Sequence, residues 1–330
     1  MRERNAWKVG IMSLALSLAV RLGPGLTGAL AGKNILGQVE DFLLYVQTGL
    51  RHEAPPAELA YSPESHGPEK RWLRPPVLLL RQSTEPKPSF TAEDGADVRL
   101  DNDAGVAVDP ETLIERSPEF PRGDGPKVLI YSTHTTESYT KSGENYIETA
   151  AYRTLDSGFN MLSLGKALEE ALEARGIAAI RDEDLHDYPN YNGAYVNSRK
   201  SVESYLESYP TIGLVLDLHR DAAAGKQQLR LLAETPEGAS AQLMLVVGTN
   251  ASGLSHPGWE QNFALALRLQ TLLERESPGI TRPLNLRAQR FNQDLSPGAL
   301  LIEIGGAGNT RQEALVAVEI LAEGIRQLLL

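Results

Sequence analysis

Leu214-Val-Leu-Asp-Leu-His-Arg-Asp221 decides the architecture. The apolar run that leads into it, Ile212–Leu218, is nearly continuous rather than alternating, which reads as a strand covered on both faces, with polar groups gathered at its carboxyl end. Outward from it, the same grammar recurs. Val128–Tyr131 is a short β-rich run, and residues 160–175 form a helical pattern closed by Gly176. Ile177–Ile180 is a strand, and a helix over Tyr195–Tyr209 stops before Pro210. Gln242–Val247 is a further strand, followed by a helix over Trp259–Glu274, a strand over Ala299–Ile304 and a last helix from Arg311 to Leu330. Strands alternating with helices of this length imply βαβ crossovers: an α/β domain with a mainly parallel twisted sheet and helices on both faces. No internal repeat interrupts the pattern.

The rest of the 330-residue chain divides by composition. Arg2, Arg4 and Lys8 precede an apolar run from Val9 to Val20, and a glycine-rich apolar stretch continues past Arg21 to Lys33. Basic residues ahead of an apolar segment read as an export signal or uncleaved anchor over residues 1–33, against the alternative of a buried amphipathic helix. Residues 34–126, with prolines from Pro55 to Pro126 and runs such as Glu93-Asp94-Gly95, read as an extended spacer or partner-binding arm. Within it, Trp72–Leu80 is an apolar island. Residues 127–330 form the catalytic domain. A formal charge of −11 leaves no concentrated cationic face, which argues against a nucleic-acid partner. With no cysteine in the chain, disulfides, Fe–S clusters and thiolate chemistry drop out, leaving His and carboxylates as metal ligands.

Three strand ends carry the ionisable groups, and ligands of parallel α/β sheets bind at that edge. His134 and Glu137 form H-x-x-E just past Val128–Tyr131, where one turn can aim both side chains at a point; the alternative is a solvated loop. His219 finishes the second strand, either as a distant third ligand or as a satisfied core histidine. Asp217 shares its face and suits an orienting role. Glu303 sits inside the apolar run Ala299–Ile304, where a lone carboxylate is expensive unless paired or bound. A general base beside metal-activated water explains that cost, and a buried ion pair with Arg is the rival explanation. The remaining motifs are poor. G-x-G-x-x-G occurs at Gly23–Gly28 without a strand before it, no P-loop signature exists, and no G-x-S-x-G elbow exists. His52, His66, His186 and His256 fall in polar or Pro-rich loops and read as solvated.

Three ordered strings carry a resemblance. Tyr131-Ser-Thr-His-Thr-Thr-Glu-Ser-Tyr139, Leu216-Asp-Leu-His-Arg-Asp221, and Asn292-Gln-Asp-Leu295 with Leu300-Leu-Ile-Glu-Ile-Gly-Gly-Ala-Gly-Asn309 resemble the stage II sporulation protein P family. The resemblance implies a membrane-anchored, zinc-dependent N-acetylmuramoyl-L-alanine amidase with a zinc amidase-like fold. Peptide-crosslink endopeptidase activity is also associated with that family. It implies work on septal peptidoglycan during engulfment, in the intermembrane space, beside a lytic transglycosylase and a membrane protein. On this chain it makes His134 and His219 zinc ligands and Glu303 the catalytic carboxylate. Related wall amidases take a Glu ligand from the start of the following helix, but Asp156-Ser-Gly-Phe-Asn160 has none. Glu137 is therefore the third ligand, with Glu144 and Glu148 in reserve. Arg220 is expected to hold an oxyanion or a peptide carboxylate, and Tyr195 and Asn292–Asp294 to line the groove. A zinc carboxypeptidase-like enzyme is the rival chemistry, and a catalytically idle module recruiting partners through the Pro-rich arm is the non-enzymatic reading.

Overall fold

The computed structural model describes residues 77–81, 89–91 and 97–330, except 117–118 and 223–227. The segment read as an anchor lies outside them, as does Trp72. Among the described residues no helix is long and apolar enough to cross a membrane.

In chain order the strands begin with β1 (Val77–Arg81), β2 (Ser89–Thr91), β3 (Asp97–Asn102), β4 (Val128–Tyr131), β5 (Ala179–Arg181) and β6 (Leu214–Asp221). They continue with β7 (Gln228–Thr235), β8 (Gly238–Ala241), β9 (Leu243–Gly248), β10 (Leu284–Arg287) and β11 (Ala299–Gly306). Eight of them form one sheet in the order β2-β3-β10-β9-β11-β6-β4-β5. Only β2–β3 and β9–β11 pair antiparallel, so the sheet is mostly parallel. The helices are α1 (Pro110–Ile114), α2 (Met161–Glu173), α3 (Ala194–Ser208), α4 (Trp259–Glu276) and α5 (Arg311–Leu329).

Local chemistry sets the helix ends. Asn160 caps α2 by accepting from the Leu162 N–H at 3.0 Å, and Gly176 closes it at φ +78°, a left-handed turn that costs glycine little. Thr310 and Glu313 exchange reciprocal bonds in a capping box at the start of α5. Strand alternation then sorts the core onto two faces. Val128, Ile130, Leu214, Leu216, Leu218, Leu300, Ile302 and Ile304 pack with α2, α4 and α5, while Leu129, Tyr131, Val215 and Ala299 pack with Val202 of α3. By the same alternation Asp217, His219 and Glu303 belong to the α3 face, which a single helix covers.

Neighbouring order places the chemistry. β11, β6 and β4 lie side by side and parallel, so their carboxyl ends share one edge. Glu303 pairs in register with His219, and Tyr131 with Asp217.

Two elements depart from the sequence reading. Residues 97–114 are built into the domain: β3 pairs with β10, and Val98 and Leu113 are buried in the core. Pro110 occupies the first turn of α1, where a missing N–H costs nothing, so a proline there marks a helix start rather than a spacer. The apolar island also finds a partner, because β1 pairs parallel with β7, and β7 turns antiparallel into β8. This small sheet is pinned by buried Asn309, which bonds both the N–H and the C=O of Leu231 at 2.9 Å.

Candidate active site

The chain from Tyr131 to Tyr139 is buried throughout, so the H-x-x-E stretch is no solvated loop. The Glu137 N–H donates to the His134 carbonyl at 3.0 Å, closing the turn that aims both side chains inward. Outside anchors hold that turn. Asp187 accepts from the Thr136 N–H at 3.0 Å and from its hydroxyl at 2.7 Å, and the Tyr139 hydroxyl donates to the carbonyl of Ile304, next to Glu303, at 2.8 Å.

His134 and His219 face each other edge to face, with ring centroids 5.3 Å apart. Nδ1 of His219 lies 3.8 Å from Oε2 of Glu137. Its Nε2 lies 2.9 Å from Oδ1 of Asp217, off the line of an aligned hydrogen bond. Asp217 is fixed by accepting from the Thr133 N–H and hydroxyl, both at 2.7 Å, the posture of a carboxylate that orients a ligand histidine. Burial opposes the charged form of His219, but Asp217, Glu303 and Glu137 outweigh it and raise the imidazole to about 9. Burial and Asp221 push Glu303 well above the usual carboxylate range, against the pull of His219. Glu303 keeps some exposure, while its Oε2 is buried without a hydrogen-bond partner.

His134, Glu137, His219 and Glu303 therefore lie together at this edge of the sheet. Among the described residues no three His, Asp or Glu side chains are arranged closely enough to hold a metal ion as they stand. Two imidazoles, a carboxylate and an orphaned buried carboxylate oxygen nonetheless match the donor chemistry of zinc. The acidic excess around His219 would favour a cation in place of its proton.

Other expectations shift. Arg220 is turned to the loop: it donates to the carbonyls of Ser138 (3.2 Å) and Tyr152 (3.3 Å), and its Nη1 lies 3.6 Å from Oε1 of Glu137. It is buried and positions Glu137 instead of facing an oxyanion. Glu144 accepts from the N–H of its own loop's Ser142, and Glu148 is partly buried nearby in sequence. Asn292 and Gln293 are scaffolding: Asn292 donates to the Tyr195 carbonyl at 2.8 Å, and Gln293 to the Val246 carbonyl at 2.8 Å. Asp294 is paired with Arg199 at 3.0 Å and Arg290 at 3.2 Å. Tyr195 meets the edge of His134 at 5.7 Å. His186 and His256 are buried rather than solvated. His186 pairs with Asp182 at 2.8 Å, whereas burial lowers His256 to about 4.

Two residues escaped the motif reading. Tyr191, on the one-turn helix Tyr191–Gly193, stacks on His134 at 4.5 Å and 5°. Arg153 lies over the Tyr191 ring at 4.7 Å, and pairs with Asp187 at 2.6 Å and Glu137 at 3.2 Å. Neither lies in a motif, and only tertiary packing brings them to His134 and Glu137. A cavity of about 620 Å³ opens elsewhere, between α2, β5 and α3, and none of the four site residues lines it.

Fold and site together define an α/β protein with a buried imidazole–carboxylate cluster at the carboxyl edge of a mostly parallel sheet. The chain belongs to the stage II sporulation protein P (SpoIIP) family, whose model matches residues 82–326. Stage II sporulation protein P of Bacillus subtilis (strain 168) is 28% identical over 269 residues, which is 75% of this chain and 64% of that protein. The chain thus spans just under two thirds of the length of the curated relative it matches. Solved structures with a distant likeness include the N-acetylmuramyl-L-alanine amidase Ami1 of Mycobacterium smegmatis (TM-score 0.36, 10% identity, 62% of this chain and 97% of that one). Another is the catalytic domain of the CD27L endolysin targeting Clostridia Difficile (TM-score 0.36, 16% identity, 61% of this chain and 96% of that one). Likeness of that order says nothing about the site.

Proposed function

We propose that this protein is a zinc-dependent cell-wall amidase that splits the bond between N-acetylmuramic acid and L-alanine in peptidoglycan. One observation carries the reading: Glu303, with a buried oxygen lacking a partner, stands in register beside His219 where His134 and Glu137 also converge. His134, Glu137 and His219 would hold zinc, with Asp217 fixing the tilt of His219 and Arg220 steadying Glu137. Bound there, zinc supplies Lewis acidity that polarises the scissile carbonyl and brings water ionisation towards neutral pH. Glu303 takes a proton from the attacking water. The water oxygen joins the lactyl carbonyl carbon, the C–N bond breaks, and Glu303 returns its proton to the departing amine of L-alanine.

Membership of a sporulation family supports septal peptidoglycan as the substrate during engulfment, with crosslink cleavage as a secondary activity. The basic-then-apolar amino terminus supports a membrane tether with the catalytic domain outside the cytoplasm. A lytic transglycosylase and a membrane protein of the engulfment machinery are the expected partners.

His219→Ala tests the metal. Zinc measured per folded chain should fall from stoichiometric to near zero, while His186→Ala, away from the cluster, keeps it. Full zinc content in His219→Ala removes the ligand set.

A further inference from the structure

We infer that Tyr191 is a catalytic residue: its hydroxyl donates a hydrogen bond to the oxygen that gains negative charge as the amide carbonyl is attacked. The inference rests on the hydrolase reading above and assigns a role that Arg220, turned towards the loop carbonyls, does not fill.

The geometry has three layers. Arg153 lies on one face of the Tyr191 ring at 4.7 Å, and His134 is stacked on that ring at 4.5 Å and 5°. The sandwich fixes the ring, and it points the phenol oxygen to 3.2 Å from Nε2 of His134. Arg153 is itself immobilised by Asp187, whose side chain is fully buried, and by Glu137. The turn that carries Tyr191 is held by the Asn190 side chain, which accepts from the Asn192 N–H at 3.2 Å. A hydroxyl held this close to a ring nitrogen of His134 stands within hydrogen-bond reach of whatever occupies the space beside that imidazole. A metal ion on His134 would fix the tautomer of that imidazole, and the phenol proton would then be given to the nearest oxygen of the bound substrate. A fixed donor aimed where charge develops is what stabilises an oxyanion without reorganisation.

Tyr191→Phe keeps both stacked faces and removes only the hydroxyl. Zinc affinity, measured by chelator competition, should stay within about threefold of wild type. The kcat for stem-peptide release from purified peptidoglycan should fall about 100-fold with KM unchanged, the size expected for losing one oxyanion donor. A phosphinic analogue of the muramyl-L-alanine bond, tetrahedral at the attacked centre, should bind the zinc-loaded variant about 100-fold more weakly by calorimetry. Wild-type kcat and analogue affinity in the variant overturn the donor role. A collapse of zinc affinity overturns it too, because the hydroxyl would then serve only to place His134. A zinc-loaded wild-type protein that leaves peptidoglycan intact removes the amidase reading and this role together, whereas an active wild type with an equally active variant removes Tyr191 alone.

Discussion

Glu303→Gln should retain zinc and lose about 10²- to 10⁴-fold in stem-peptide release, the usual worth of a positioned general acid–base. The amide has nearly the same shape but neither accepts a proton from water nor returns one to the leaving amine. Stability should move the other way. Burial and Asp221 hold the Glu303 carboxyl well above its ordinary range, so the folded metal-free protein binds a proton more tightly than the unfolded chain does. That preference contributes fully below the ordinary carboxylate range and is lost as pH rises through the raised value. Metal-free wild type should therefore lose stability relative to Glu303→Gln across that rise, in denaturant titrations at successive pH values. Unimpaired hydrolysis by Glu303→Gln would sink the mechanism.

Gly298→Ala should unfold the protein more readily than any conservative change in the cluster. A Cβ at Gly298 would lie 1.8 Å from the carbonyl oxygen of Gly213, a backbone atom with no rotamer to escape into. The Gly298 carbonyl also accepts from the Val215 N–H at 2.9 Å, so the two strands cannot part without losing that bond. Here β11 is drawn against β6 at the start of the register that ends with Glu303 beside His219. The expected cost is about 3 kcal/mol, at the upper end for overpacking. For a domain of this size that is a fall of about 10 °C in Tm, read from a thermal scan. A Tm within a degree or two of wild type would mean that this contact relaxes freely.

The frame of the fold was legible because burial on both faces leaves unbroken apolar runs. β4, β6, β9 and β11, and the helices α2 to α5, fall within a few residues of the expected bounds. Strand-end chemistry was legible for a related reason: a carboxylate inside Ala299–Ile304 has no cheap explanation. Arg220 misled, since sequence adjacency to His219 hides the alternation that gives neighbours on a strand opposite orientations. His186 and His256 misled because polar and Pro-rich neighbours describe composition, not depth. Tyr191 and Arg153 were out of reach: each meets His134 or Glu137 only through tertiary packing. The β7–β8 hairpin had a readable turn at Pro236-Glu-Gly238, but its partner β1 lies about 150 residues upstream, beyond any local pattern.

The incorporation of β3 has a practical corollary for anyone trimming the gene to its compositional boundary. Translation started at Lys127 would strip β3 and α1 from the domain, baring the row Leu284–Leu286 that otherwise bonds to residues 100–102. Naked main-chain rows beside apolar side chains recruit further copies edge to edge. Such a fragment should elute as large aggregates in size-exclusion chromatography, while one begun ahead of Val77 should not. Matching elution profiles would show that the sheet seals itself without its amino-terminal strand.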